Sequence, residues 1–160
     1  MDALPKSKLD LNEFKLWFIN HKDKKGAMDE FFNERFDNVG WSLWYLDYEK
    51  YGKEGQVEYI FANLLDGIIM RSEAMNKYSF GRLNMVGEEP DLNIRGVWMW
   101  RGQDYPQELK DHPQFEYIKC RKMDVYNDEK DKQLLIDHWT NFEDEKMSDG
   151  LRIARFKYQR

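Results

Sequence analysis

Two spacings of apolar residues run through this chain, and the changes between them mark its elements. Leu11, Phe14, Trp17 and Phe18 recur at helical spacing and predict a helix to about residue 20. Asp10 and Glu13 form an N-terminal capping pattern, with Leu9 and Phe14 placed as a hydrophobic staple. A lysine-rich polar turn over 21–26 leads to a second helix over 27–35, burying Met28, Phe31 and Phe32. Both stripes read as core-packing faces. Residues 41–48 are apolar on both parities, as in a strand covered on both sides. A turn over 50–56 with Gly52 and Gly55 then predicts a second strand over 57–65, paired with the first as a hairpin. Asn63 is the polar exception in that strand, and must hold a loop carbonyl or face a ligand. Asp66 is expected to cap a third helix over 67–76, with Ile68, Ile69, Ser72 and Met75 at helical spacing.

The second half alternates more clearly. Residues 78–86 predict a strand whose Ser79, Arg82 and Asn84 suggest a sheet edge or a wetter face. A turn over 87–91 joins it to a strand over 94–101. There Ile94, Gly96, Trp98 and Trp100 share an apolar face, and Arg95, Val97, Met99 and Arg101 a half-charged one. Gly96 is expected to leave room for a large aromatic neighbour, and Gly102 to end the strand. Residues 103–114, with Pro106 and Pro113, read as a loop, and 115–122 as a fifth strand. Asn127 or Asp128 should cap a last helix to about 141, with Leu134, Leu135, His138, Trp139 and Phe142 inward. The basic tail, 147–160, is expected to pack through Leu151, Ile153 and Phe156 and to fray at its end. Antiparallel strands with helices before, between and after them define an α+β class: about five strands flanked by helices, in one domain over 1–160.

Composition narrows the function classes. Aromatics make up 16% of 160 residues, enough to fill a sizeable core without disulfides. Cys120 is the lone cysteine, which suits a reducing compartment, most simply the cytoplasm. No apolar run reaches a spanning length, the N-terminal stretch lacks a signal-peptide core, and mean hydropathy is −0.88. A net charge of −5 argues against broad nucleic-acid binding, leaving RNA contact by the basic tail as a weak possibility.

Catalytic patterns are missing from the sequence. His21, His112 and His138 are scattered, and Cys120 has no partner at metal-ligand spacing. His138 reads as a satisfied core histidine and Cys120 as an inert core thiol. Gly87 and Gly102 are isolated, so neither opens a phosphate loop, and there is no nucleophile elbow. The acidic runs 88–89 and 143–145 read as solvated surface. Asp47, Arg95, Arg101 and Arg121 stand out as charges inside apolar strands. They are structural ion pairs, or they line a concave surface for a protein partner, with Trp44, Trp98 or Trp100 as an aromatic anchor. The candidate interaction surface is therefore Trp44, Asp47, Asn63, Arg95, Trp100, Arg101, Gln103 and Arg121. The alternative is a ligand-binding or enzymatic groove in the sheet near Asn63, Trp100 and Arg101.

Several stretches together resemble the C-terminal domain of elongation factor 1-gamma. They are Phe36-Asp37 with Gly40-Trp41-Ser42-Leu43-Trp44-Tyr45, Asn63-Leu64 with Gly67, Gly96-Val97-Trp98 with Arg101-Gly102-Gln103, and Arg121-Lys122 with Asp124. Leu4-Pro5-Lys6-Ser7 and Asn12-Glu13-Phe14-Lys15 resemble the same domain's start. The likeness covers nearly the whole chain in order and departs most at 50–56 and 147–160. It implies an antiparallel sheet flanked by helices, in a subunit of the elongation factor 1 nucleotide-exchange complex. It also implies a non-catalytic scaffold without cofactor, with partner docking mainly through a glutathione-transferase-like domain that precedes this one in such proteins. On that resemblance, this chain is expected to be a C-terminal piece.

Overall fold

The computed structural model describes residues 9–50, 52–73, 78–103, 118–141, 145–147 and 150–159. Among the described residues, four helices and a five-stranded antiparallel sheet make up the α+β fold: α1 (Leu11–Asn20), α2 (Lys24–Glu30), β1 (Trp41–Tyr48), α3 (Glu58–Arg71), β2 (Ser79–Glu88), β3 (Asp91–Arg101), β4 (Ile118–Lys122), α4 (Glu129–Thr140) and β5 (Ile153–Gln159). The strand order is β4-β1-β3-β2-β5.

Local chemistry starts the helices as the sequence suggests. Asp10 accepts a hydrogen bond from the Glu13 N–H at 3.1 Å, and both Leu9 and Phe14 are buried. Asp128 caps α4 through the Lys130 N–H at 2.9 Å. α2 continues into a π-helical turn, Phe31–Arg35, closed by Phe36 N–H to the Phe31 carbonyl at 2.8 Å. That widened turn lets Phe31, Phe32 and Phe36 all face the core.

The sheet is covered on both faces. α3 packs Phe61, Leu65 and Ile68 on Trp44, Leu46, Leu83, Met85, Ile94, Trp98 and Trp100. On the other side α1, α2 and α4 cover Leu43, Phe80, Val97 and Met99 with Phe14, Phe18, Phe31 and Trp139. The expected half-charged face of 94–101 is thus a second apolar layer, because Val97 and Met99 lie mid-strand and the arginines at its ends reach out past them.

Four expectations need correction. Residues 57–65 are not a strand in a hairpin with β1; they open α3, which runs unbroken through Asp66. The run Tyr59-Ile60-Phe61 has strand-like composition, but Phe61, Leu65 and Ile68 carry the helical period that packing rewards. Asp66 is consequently an exposed mid-helix residue, paired with Lys157 at 3.2 Å, and not a cap. β1 pairs instead with β3 and β4. Residues 78–86 are neither edge nor wet: β2 lies between β3 and β5 and is buried almost throughout. The basic tail supplies β5, with Ile153 buried and Leu151 and Phe156 packed beside it. The sheet therefore has five strands, but one of them is the tail and none is 57–65.

The fourth correction concerns glycine. A Cβ on Gly96 would meet Leu83 Cδ2 at 2.8 Å and the Arg82 backbone, so its neighbour is a strand and not a ring. Gly81, opposite Trp98 in the β2–β3 register, is the glycine that makes room for an aromatic. A Cβ there would overlap the Trp98 indole, at 2.7 Å from Cγ. Gly102 does end β3, at φ 90°. Residues 1–8, the loop and strand start over 104–117 (with His112), 74–76 of the third helix, Phe142, Glu143 and Asp144, and Arg160 lie outside the described residues.

Candidate functional site

Antiparallel pairing brings the start of β1 beside the end of β3, and the polar motif residues meet there. Ser42 lies opposite Trp100, and Trp41 opposite Arg101. Asp37 turns the chain into β1 by accepting from the Val39 and Gly40 N–H groups, each at 3.1 Å. The 38–41 carbonyls then point at the end of β3. The Arg101 guanidinium and the Gly102 N–H both donate to the Gly40 carbonyl, and Arg101 lies 5.7 Å from the Trp41 ring. The Gln103 amide donates to the carbonyls of Asn38 and Val39 at 3.0 Å and of Trp41 at 2.6 Å. Lys122 closes the seam on the Gln103 carbonyl at 3.0 Å. These side chains hold two strand ends together.

The remaining strand charges also have internal partners. Arg95 and Asp47 face each other in the β1–β3 register at 3.7 Å, both partly exposed. Arg121 makes a two-pronged pair with Asp131, at 2.7 and 3.1 Å, and sits 5.7 Å from the Tyr45 ring. That hydrogen-bonded pair raises the Arg121 pKa above its ordinary value. Burial pushes the Asp131 carboxyl up, but Arg121 and the Asp124 N–H, 2.9 Å away, outweigh it and hold the acid below the usual range. Trp44 is buried, donating from Nε1 to Ser42 Oγ at 2.8 Å. Trp100 is buried in the layer shared with α3. Neither tryptophan presents a ring for a partner to grasp.

Asn63, Trp100 and Arg101 do not line one sheet groove. Trp100 and Arg101 are successive residues on opposite faces, and Asn63 lies on the outward side of α3. Among the described residues, no group of three or more His, Cys, Asp or Glu side chains is placed to hold a metal ion. No helix among them is long and apolar enough to cross a membrane.

Three features escaped sequence reasoning. Lys24, in the turn read as merely polar, is buried and donates to the Phe18, Ile19 and His21 carbonyls at 2.7, 3.1 and 2.7 Å. It thereby satisfies the C-terminal carbonyls of α1. Arg82, fully buried, donates to Asn84 Oδ1 at 3.0 Å and to the Asn141 carbonyl, with Phe156 stacked 3.7 Å away. The Asn84 amide in turn lies 2.8 Å from His138 Nδ1 and donates to the His138 carbonyl at 3.0 Å. Burial, then the charges of Arg82 and Arg95, lower the His138 pKa to about 3, so the ring is neutral and Nδ1 accepts. The placement of Arg82 and Asn84 inside a strand was a visible signal of a buried network. The third is a cleft of about 630 Å³ along the outer side of α3, lined by Val57, Ile60, Leu64, Gly67 and Arg71 among others. Asn63, the polar exception in its apolar run, and the motif glycine Gly67 were its traces in the sequence.

The fold and this seam define a class: an α+β domain whose polar motif residues serve the joining of strands. Comparison with known proteins gives the family. The model described as elongation factor 1 gamma, conserved domain, matches residues 1–104. Elongation factor 1-gamma 3 of Oryza sativa subsp. japonica is 33% identical over 156 residues, covering 94% of this chain and 37% of that protein. Elongation factor 1-gamma of Artemia salina is 35% identical over 116 residues, covering 72% and 26%. Its Drosophila melanogaster counterpart is 32% identical over 133 residues, covering 82% and 30%. The chain belongs to the elongation factor 1 gamma conserved-domain family, and spans roughly a third of the length of these relatives.

Proposed function

We propose that this chain is a non-catalytic interaction domain of the elongation factor 1 complex. It acts in the cytoplasm and supports translation elongation by helping to scaffold the guanine-nucleotide-exchange subunits. Kinship with elongation factor 1-gamma supports the setting. The observation that carries the non-catalytic reading is the use of the polar motif residues. Arg101 and Gln103 are turned onto the backbone of 38–41, and Arg121 onto Asp131, instead of converging on a space that a substrate could enter. An enzyme of acyl, phosphoryl or proton transfer needs such convergence.

Two measurements on purified components test this. Sedimentation of the chain with reconstituted exchange subunits should give a faster-moving complex. The chain alone should leave GDP release from the elongation factor 1 GTPase at its spontaneous rate. Acceleration by the chain alone, or failure to form any complex, would overturn the proposal.

A further inference from the structure

Among the described residues, the outer side of α3 has no internal task that explains its composition. Its buried side already packs on the sheet through Phe61, Leu65 and Ile68. The flank beside that packed side nevertheless carries Val57, Ile60 and Leu64 along the cleft; Leu64 is half-buried against the core, and Ile60 is more than half exposed. Exposed Tyr59 and Met70 lie four before and seven after Asn63, on its side of the helix. Contiguous apolar surface of this kind on a folded domain marks a contact site.

Gly67 supports the same conclusion independently. Its backbone is ordinary helix, and a Cβ there would meet only the tip of the Arg71 side chain, at 2.5 Å from Nη1. The fold therefore does not require glycine at this position, although glycine weakens a helix interior relative to alanine. What glycine does provide is an open floor in the middle of the cleft.

Charge identifies the occupant. Lys53 stands in the turn before α3 and Arg71 at its last residue, and both line the cleft. Neither side chain makes an ion pair or hydrogen bond among the described residues. Glu54, the acid in the lining, already accepts from the Tyr48 hydroxyl at 3.0 Å. The charges left without a partner are both positive, one at each end of a helix of 14 residues, or about 21 Å of axis. We infer that this cleft docks an amphipathic helix of a partner protein. Its apolar side chains lie over Ile60, Leu64 and Gly67, and acidic residues in its first and last turns meet Arg71 and Lys53. The inference rests on the interaction-domain reading and assigns it a surface and a partner chemistry.

Three labelled helical peptides of about 14 residues supply the probe. One has a leucine stripe and glutamates at both ends, one the same stripe with lysines at both ends, and one the glutamates with glutamines replacing the stripe. Fluorescence anisotropy should show saturable binding of the first and at least about tenfold weaker binding of the other two. Ile60→Glu and Arg71→Glu should each weaken the first peptide by a similar factor. Gly67→Leu is the decisive variant: it should abolish binding while thermal melting stays at or above wild type, since leucine favours the helix. Equal binding of the lysine-ended peptide, no binding of the first, or indifference to Gly67→Leu would refute the inference. So would concentration-dependent dimerisation removed by Ile60→Glu, which would make a second copy the occupant. If Ile60→Glu and Gly67→Leu lose the peptide but still sediment with the exchange subunits, the interaction-domain reading stands and α3 is simply not the surface those subunits use. If wild type binds none of the peptides yet sediments with the subunits, only the present inference falls.

Discussion

Protonation of His138 should set much of this domain's acid sensitivity. The ring is fully buried, its Nδ1 accepts from the Asn84 amide, and Tyr45 meets it edge-on at 5.6 Å. Arg82 and Arg95 are the charges that bear on it, and both oppose a proton. Its pKa falls from 6.5 to about 3 on folding. The unfolded chain therefore takes up a proton below pH 6.5 that the native state refuses. The stabilising contribution is fully present above 6.5 and is lost as pH falls toward 3. Between pH 7.5 and pH 5, the linkage relation gives a loss of about 2 kcal/mol from this one group. That is a substantial part of the roughly 5–15 kcal/mol that holds a typical domain. Urea unfolding followed by tryptophan fluorescence, at a series of pH values, measures it. His138→Gln removes the titrating group, so subtracting its pH profile from wild type isolates the term, whatever the variant costs overall. Parallel profiles for the two proteins would refute the reasoning, as would an NMR titration placing the His138 midpoint near 6.5.

Four other perturbations test the packing and the polar network. Gly81→Ala drives a methyl into the Trp98 indole and should destabilise by about 3 kcal/mol. Trp98→Leu in that background should recover part of the loss, so the double mutant falls at least about 1 kcal/mol short of additivity in urea unfolding. Lys24→Met removes three hydrogen bonds to the α1 carbonyls and should cost about 2 kcal/mol, with faster amide exchange confined first to α1. Asp131→Ala leaves both the Asp124 N–H and Arg121 without their acceptor and should cost about 2 kcal/mol. Arg95→Ala, which loses only a half-exposed pair at 3.7 Å, should stay below about 1 kcal/mol by the same measurement.

Elements with unmixed local signals were legible in the sequence. α1 has a cap, a staple and one apolar stripe, and β1 and the β2–β3 hairpin carry long apolar runs around a glycine-containing turn. The failures share a physical cause, since each depends on a partner distant in sequence. Residues 57–65 look like a strand until Phe61, Leu65 and Ile68 are seen to pack together on the sheet. Residues 153–159 look like a basic tail until their backbone pairs with β2, and that pairing is also what buries β2. Arg82 and Asn84 look wet because their acceptors and donors come from Asn141 and His138, more than fifty residues away. Gly96 and Gly81 carry similar signals, and only the strand register decides which of them faces a ring.

The same distinction separates residues that define the family from residues open to a partner. Trp41, Ser42, Trp44, Arg101 and Gln103 made the chain recognisable because a strand seam needs specific donors opposite specific carbonyls. Their chemistry is already consumed by the fold, so their specificity is not a sign of ligand binding. Asn63 and Gly67, also among the family-like residues, differ in this respect: neither lies at the seam, and both line the α3 cleft. Val57, Ile60, Lys53 and Arg71 complete that surface without being required by the packing beneath it. A residue whose side chain the fold leaves unused is where selection for a partner can act without loss of stability. On that ground variants along α3 should separate binding from folding, whereas variants at the Arg101–Gln103 seam should lose both together.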